Sequence, residues 1–266
     1  MSNESLNLAN EIRRTALKMV HRANASHIGG AFSMTDILAV MYSEILRLDP
    51  AAPKWPERDR FLLSKGHACS AHYAVLGLKG FFDLSELDGY ASNGSRFISH
   101  TSYHIPGVEF SAGSLGHALP VACGLAVAGK RRQQNWRVYC LVSDGELDEG
   151  SNWEAILFAP QQQLDNLILI VDYNKIQSLG FVKDVIDLEP LAEKFTSFGW
   201  SVIEINGHDH AEIFESLSTS PEPGKPTVII AHTVKGKGVD FMENKLLWHY
   251  KSPDASQLQE ALGQIC

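Results

Sequence analysis

The sequence lacks the features that mark disulfide-rich, zinc-binding, membrane-spanning and secreted proteins. It has only 4 cysteines, none of them in a Cys-x-x-Cys pair, which suits neither a zinc site nor a disulfide scaffold. No apolar run approaches the roughly 18 residues of a membrane-spanning helix. Residues 1–10 lack the basic and apolar segments of a signal peptide. We therefore expect a cytoplasmic protein with reduced thiols and no membrane partner.

Basic charge and nucleotide-binding motifs are scarce as well. The 23 Lys and Arg residues are outnumbered by 31 Asp and Glu residues, which gives a net charge of -8 at pH 7 and argues against a nucleic-acid partner. The one tight basic run, at 130–132, is expected to end a helix. There is no Gly-x-Gly-x-x-Gly after a strand and no Walker-type Gly-Lys-Ser/Thr, so an ordinary nucleotide-binding α/β protein lacks support.

What the sequence does contain predicts one α/β domain that spans residues 1–266. Short apolar runs predict strands at 61–63, 138–142, 167–171, 200–205 and 226–231. Helical patterns lie around 9–25, 151–158, 188–198 and 211–217, and Ser33 to Asp36 resembles a capping box that starts another helix. Uninterrupted apolar strands that alternate with helices predict a parallel sheet with helices on both faces.

Two of the predicted strands are followed by oxygen-bearing side chains. Asp144 comes after the run at 138–142, and Asn174 comes after the run at 167–171. Ligands of open parallel sheets gather at the carboxyl ends of the strands. A carboxylate and an amide oxygen there suit Mg²⁺ or Ca²⁺. Taken alone, the two residues are better interpreted as turn residues at strand ends.

The surrounding segments resemble a known family. Residues 143–150 resemble the Gly-Asp-Gly motif of the thiamine diphosphate-dependent transketolases, with Ser143 in place of the first glycine. Asn174 stands where that motif has its asparagine. The resemblance implies that Asp144, Asn174 and the backbone carbonyl of Ile176 bind Mg²⁺ or Ca²⁺, which in turn holds the cofactor diphosphate.

The same resemblance implies further cofactor contacts. Gly145 and Glu146 follow the metal-binding aspartate, and we expect both at the cofactor. The segment 111–117 resembles Ser-Thr-Gly-Ser-Leu-Gly-Gln and nominates Gly116 as a backbone contact to the diphosphate. Glu149 matches a glutamate that the family uses near the subunit interface, and we count it among the catalytic residues.

Four histidines support the same family. His27 lies in a segment similar to the family's His-Pro-Gly, and His67 lies in Leu-Ser-Lys-Gly-His, similar to Leu-Ser-x-Gly-His. His100 and His249 stand where the family has two further histidines. The resemblance implies catalytic roles for all four and a cofactor contact for His67. Imidazoles can move protons on sugar hydroxyls near neutral pH, as this chemistry requires.

The other seven histidines receive no catalytic role. They include His104 and His117, the latter at a position where glutamine is usual in the family. His208 and His210 could look like a metal pair, but residues two positions apart do not share a helix face. We expect this segment to start a helix, with Asp209 near its cap.

The resemblance implies the N-terminal subunit of a split transketolase. Such an enzyme uses thiamine diphosphate to transfer a two-carbon ketol unit from a ketose, or its phosphate, to an aldose or its phosphate. The pyrimidine-binding and C-terminal domains are then expected on a separate chain, in an α₂β₂ assembly. Two alternatives stay open: a related thiamine diphosphate enzyme, similar to deoxyxylulose-phosphate synthase or to an α-ketoacid dehydrogenase E1 subunit, and a cofactor-binding module without catalysis.

Overall fold

Five of the apolar runs form one parallel sheet in the computed structural model, which describes residues 3–266. Met1 and Ser2, where the predicted domain begins, lie outside the described residues. The strands are β1 (Arg60–Leu63), β2 (Val138–Ser143), β3 (Leu167–Tyr173), β4 (Ile176–Gln177), β5 (Gly180–Phe181), β6 (Ser201–Asn206) and β7 (Thr227–His232). The sheet order is β1-β2-β3-β7-β6 with all neighbours parallel, while β4 and β5 form a separate antiparallel hairpin.

Helices cover both faces of the sheet. They are α1 (Asn3–Ala23), α2 (Ile28–Ser33), α3 (Thr35–Val40), α4 (Cys69–Leu78), α5 (Ala118–Arg131), α6 (Gly150–Gln161), α7 (Val182–Val185), α8 (Leu191–Ser197), α9 (His210–Ser218) and α10 (Ala255–Gln264). Short 3₁₀ turns follow β1 and β2, and a π-helical turn, Met41–Ile45, continues α3. Helix α5 ends within the basic run, as predicted.

The strands read as continuous apolar runs because both of their faces are buried. On β3, Ile168 and Ile170 pack into one hydrophobic cluster with α1, α3 and α4. The alternate residues Leu169 and Val171 pack into a second cluster with α5, α6 and α8. Successive side chains of a strand point to opposite faces, so two cores lie on either side of one sheet. The predicted fold class is confirmed.

The predicted capping box at Ser33 is wrong. Ser33 is the last residue of α2, and α3 begins only at Thr35. The Ser33 hydroxyl donates to the Asp172 carboxylate at 2.6 Å, and its oxygen also lies 3.1 Å from the Gly30 carbonyl oxygen. A buried carboxylate at the end of β3 thus takes the hydroxyl that a cap would have used.

The carboxyl ends of the central strands meet at one edge of the sheet. Ser143 of β2 is in register with Asp172 of β3, and Tyr173 of β3 is in register with His232 of β7. The chain therefore leaves three neighbouring strands at the same level. Parallel sheets of this kind bind their ligands at this edge.

Candidate functional site

A cavity of about 230 Å³ opens at the carboxyl edge of the sheet. Eight of the predicted site residues line it: His27, His67, His100, Asp144, Gly145, Asn174, Ile176 and His249. They come from separate parts of the chain, and the fold brings them together around one space. Two lysines that sequence reasoning did not single out, Lys65 and Lys235, also line the cavity.

Asp144 follows β2 and is almost fully buried, with 1% of its surface exposed. Its carboxylate accepts from the Gly145 amide at 2.7 Å and from the Lys175 amide. Burial and the neighbouring charge of Asp172 raise the pKa of Asp144 to about 6. A carboxylate whose charge is disfavoured in this way gains from a cation placed beside it.

Asn174 and Ile176 complete the set of oxygen donors predicted to hold a metal. The Asn174 amide nitrogen donates to Asp172 at 3.2 Å, which fixes the side chain, and its oxygen accepts from the Ile176 amide at 3.2 Å. The Ile176 carbonyl accepts from the ammonium of Lys235 at 2.9 Å, so this oxygen already attracts a cation.

The chemistry of this donor set fits a hard divalent ion. It consists of one carboxylate, one amide oxygen and one backbone carbonyl, all from residues that line the cavity. Across residues 3–266 there is no group of three or more His, Cys, Asp or Glu side chains arranged to hold a metal. A small set of oxygen donors suits Mg²⁺ or Ca²⁺, which complete their coordination with water or phosphate oxygens.

His27 lies at the centre of the histidine cluster. Its ring is 5.0 Å from the ring of His67, 5.2 Å from that of His249 and 6.4 Å from that of His100. The His27 backbone is in the left-handed region at φ 73°, and its amide donates to the His249 carbonyl at 3.0 Å. A non-glycine residue in this conformation costs about 1–3 kcal/mol, which the contacts around it must offset.

The four clustered histidines have lowered pKa values. Burial, aided by the charge of Lys235, lowers the pKa of His249 to about 3. Burial and then His100 lower the pKa of His27 to about 4. Burial also lowers the pKa of His67, well below its usual range, and that of His100. The rings are therefore neutral at pH 7, where each can both donate and accept a hydrogen bond.

A buried ion pair underlies the cavity floor. The Lys65 ammonium contacts the Asp172 carboxylate, which also accepts from the Ser33, Thr233 and Asn174 side chains. Burial alone would raise the pKa of Asp172, but the charge of Lys65 holds it below its usual value. The network joins α2, β3 and the segments after β1 and β7, so it fixes the relative positions of the cavity walls.

Glu146 was predicted to contact the cofactor, but it does not line the cavity. It is fully buried, and its carboxylate accepts from the Gly116 amide at 2.8 Å, the Ser143 amide at 3.2 Å and the Ser64 hydroxyl. These contacts hold the backbone of two segments at the cavity edge.

Gly116 and Glu149 also lie outside the cavity lining, although Leu115 belongs to it. Gly116 adopts φ 81°, and a Cβ there would lie 2.5 Å from the Ser151 hydroxyl and 2.7 Å from the Glu149 Cβ. Only glycine fits this close approach. Glu149 is exposed and precedes α6.

The histidines without a predicted role stand apart from the cavity. His117 is exposed, and its ring nitrogen contacts the Leu115 carbonyl at 2.8 Å. Asp209 caps α9 by accepting from the Ala211 amide at 2.8 Å, as predicted. His208 and His210 contact the buried Asp36 rather than each other.

Known proteins resemble the chain over its whole length. The family described as "Transketolase, thiamine diphosphate binding domain" matches residues 4–264. One of the subunits of the apulose-4-phosphate transketolase of Phocaeicola vulgatus is 39% identical over 100% of this chain and 95% of its own length. The 6-deoxy-6-sulfo-D-fructose transketolase subunit SqwG of Clostridium sp. is 40% identical over 100% of this chain and 98% of its own length.

The fold has close counterparts among solved structures. Transketolase from Campylobacter jejuni superposes with a TM-score of 0.94 and is 33% identical. The match covers 100% of this chain but only 43% of that longer chain. Within residues 3–266, none of the helices combines the length and the apolar character that crossing a membrane requires.

These matches confirm the predicted family, the fold class and the class of enzyme, a transketolase-type transferase. The individual site residues are assigned from motif and geometry. Because its full length is shared with transketolase subunits and its fold with a solved transketolase, this chain belongs to the transketolase family and carries that family's thiamine diphosphate-binding domain.

Proposed function

We propose that this chain is the diphosphate- and metal-binding subunit of a two-chain transketolase, which transfers a two-carbon ketol unit from a ketose, or its phosphate, to an aldose or its phosphate. One observation carries the proposal: a single cavity holds the oxygen donors for a divalent cation beside four neutral imidazoles. When bound, thiamine diphosphate supplies the nucleophile and the electron sink for cleaving the bond beside the ketose carbonyl.

In this proposal the diphosphate end of the cavity carries the cation. Asp144, Asn174 and the Ile176 carbonyl hold Mg²⁺ or Ca²⁺, and Gly145 lines the cavity beside them. A Cβ at Gly145 would lie 2.5 Å from the Cβ of Gln177, so this position requires glycine. The ammonium of Lys235 already lies against this donor set, and burial lowers its pKa to about 8. Positive charge at this end compensates the negative charge of a diphosphate.

The histidines line the substrate end. As neutral rings, His27, His67, His100 and His249 can accept a hydrogen bond from a sugar hydroxyl or donate one to an oxygen that gains charge. Nδ1 of His249 lies 3.1 Å from the Lys235 ammonium, which can donate a hydrogen bond to it and hold the ring in place. We assign proton transfer and hydroxyl binding to this cluster, and cofactor retention to the metal ligands.

A second chain belongs to the proposal. The solved Campylobacter transketolase is more than twice as long as the part this chain matches, while the two bacterial relatives are named as subunits of similar length. We infer a partner with the pyrimidine-binding and C-terminal domains in an α₂β₂ assembly, and we place the exposed Glu149 on the side that faces it. A cytoplasmic location accords with the free cysteines.

Ketol transfer is preferred over the two alternatives for separate reasons. The relatives are named as transketolase subunits, which favours ketose chemistry over chemistry similar to deoxyxylulose-phosphate synthase or an E1 subunit. A module without catalysis would not need three histidine rings within 6.4 Å of a fourth around the cavity.

The test is a calorimetric titration of thiamine diphosphate, with and without Mg²⁺, into this chain alone and into its complex with the product of the neighbouring gene. We expect tight, metal-dependent binding in the complex together with ketol transfer. Asp144→Ala should abolish binding, while His67→Ala should retain most of it and lower turnover. Asp165→Ala, on a half-exposed ion pair with Lys130, is the matched control and should change neither.

Two outcomes would count against the proposal. Equal loss of cofactor binding in the Asp144 and His67 variants would contradict the separate roles of cation site and histidine cluster. If thiamine diphosphate bound neither to the single chain nor to the complex, the proposed enzymatic function would be wrong.

A further inference from the structure

The segment at 233–238 follows β7 and carries Lys235 into the cavity; we call it the Lys235 loop. Two side chains outside the cavity hold its backbone from behind. The Val234 amide donates to Nε2 of His208 at 2.8 Å. The Lys237 carbonyl accepts from Nε of Arg13 at 3.1 Å. The loop is therefore anchored on both sides of Lys235 by residues that do not line the cavity.

One buried carboxylate orients both anchors. Asp36 accepts from Arg13 in a bidentate pair at 2.9 and 2.6 Å, and from Nδ1 of His208 at 2.7 Å. His210 contacts the same carboxylate at 3.3 Å. Burial would raise the pKa of Asp36, but Arg13 and the two histidines hold it well below its usual range, so the carboxylate is charged.

The geometry fixes the tautomer of His208. A backbone amide can only donate, so Nε2 of His208, which accepts from Val234, carries no proton. Nδ1 then carries the proton and donates it to Asp36. In metal sites, a carboxylate often accepts from one nitrogen of a histidine and so orients the other nitrogen towards the metal. Here Asp36 orients His208 in the same way, and the other nitrogen accepts from a backbone amide instead of binding a metal.

The position of the Lys235 ammonium depends on this loop. Its contacts with the Ile176 carbonyl and the His249 ring are 2.9 and 3.1 Å long. Hydrogen bonds weaken steeply when geometry departs from this range. The loop backbone is also held by the Gly236 amide, which donates to the Gly29 carbonyl at 3.0 Å, and by the Lys235 carbonyl, which accepts from the Asn244 amide at 2.9 Å. A displacement at Val234 would shift the backbone from which the Lys235 side chain reaches its two partners.

We propose that Asp36 and His208 form a positioning pair that sets the Lys235 loop and thereby the place of the Lys235 ammonium at the diphosphate end of the cavity. His208 touches no reacting group, so it acts on cofactor affinity and not on turnover. The inference rests on the proposed function for its effect on the cofactor. The link between His208 and the loop rests on the contacts alone.

Three variants test the pair. His208→Phe keeps a ring of similar size and removes both nitrogens. His208→Gln keeps one group that can accept from Val234 and one that can donate. His210→Ala is the matched control, because it removes a histidine from the same carboxylate without touching the loop backbone.

The first measurement is hydrogen–deuterium exchange of the peptide that contains Val234, in the chain without cofactor. We expect exchange at least tenfold faster in His208→Phe, near wild type in His210→Ala and largely restored in His208→Gln. The second is steady-state kinetics of the two-chain complex. We expect the KM for thiamine diphosphate to rise about tenfold in His208→Phe with kcat within about twofold, as fits the loss of one buried hydrogen bond.

Unchanged exchange at Val234 in His208→Phe would overturn the proposal. The proposal would also be overturned if both kcat and the melting temperature fell in His208→Phe and neither recovered in His208→Gln, since that pattern indicates a general structural role. If the wild-type complex never binds thiamine diphosphate, the proposed function fails. The exchange measurement would then still decide whether His208 holds the loop.

Discussion

The ion pair between Lys65 and Asp172 allows a quantitative test of how the cavity floor is built. Their side chains are 1% and 0% exposed, so neither charge is stabilised by water. Asp172→Asn removes the negative charge and keeps the shape of the side chain. Breaking a buried pair on one side costs about 3–5 kcal/mol, because the remaining charge stays buried without its partner. That is a large share of the roughly 5–15 kcal/mol that stabilises a typical domain.

A double variant tests whether the unpaired Lys65 ammonium causes the loss of stability. Lys65→Met in the background of Asp172→Asn removes the stranded ammonium as well, so the double variant should be more stable than Asp172→Asn alone. The matched control is the pair of Lys130 and Asp165, which is 35% and 30% exposed. Asp165→Asn should cost no more than about 1 kcal/mol, since exposed pairs contribute little.

The assay is urea unfolding followed by the fluorescence of the 5 tryptophans. It gives the free energy of unfolding of each variant under identical conditions. Equal losses in the Asp172 and Asp165 variants would show that the buried pair is not charged as described. A double variant less stable than Asp172→Asn would refute the idea that the stranded ammonium is the source of the loss.

Three further predictions concern other parts of the structure. Gly116→Ala should lower the unfolding free energy by about 1–3 kcal/mol, because its Cβ would lie 2.5 Å from the Ser151 hydroxyl at φ 81°; an unchanged thermal melt would show that the loop relaxes freely. Burial lowers the pKa of His72 to about 3, so only the unfolded state takes up its proton as the pH falls from 6.5 towards 3, and stability should decline over that window. Unfolding at pH 7, 5 and 4 checks this, and His72→Gln should flatten the decline. Chelation of divalent cations should weaken thiamine diphosphate binding at least tenfold, with recovery on adding Mg²⁺ or Ca²⁺; calorimetric affinity that survives chelation would contradict the assignment of Asp144.

The sheet could be predicted from the sequence because its central strands are buried on both faces. Burial on both sides demands unbroken apolar runs, and runs of that kind mark β2, β3 and β7 within one or two residues. The prediction at Ser33 was wrong for the opposite reason. A capping box is a local pattern, whereas the acceptor that takes the Ser33 hydroxyl lies on β3, far away in sequence.

The candidate site, like the fold, could be predicted only in part from the sequence. The four histidines could be singled out because each sits in a segment that resembles the family, and the fold places all four around one cavity. Lys65 lies in the segment of His67, and Asp172 lies two residues before Asn174. Their pairing is a tertiary contact that the spacing of these residues in the sequence does not predict. The contact between Asp36 and His208 spans most of the chain and could be found only in the folded structure.

The cavity takes residues from His27 to His249, which lie far apart in the sequence. On the ribosome, the first of these emerges long before the last, so the binding site cannot exist until the chain has been synthesised past His249. A ligand that binds only the folded state stabilises that state by mass action. Cofactor supply would thus protect finished chains and leave prematurely terminated ones, which lack His249, to proteolysis.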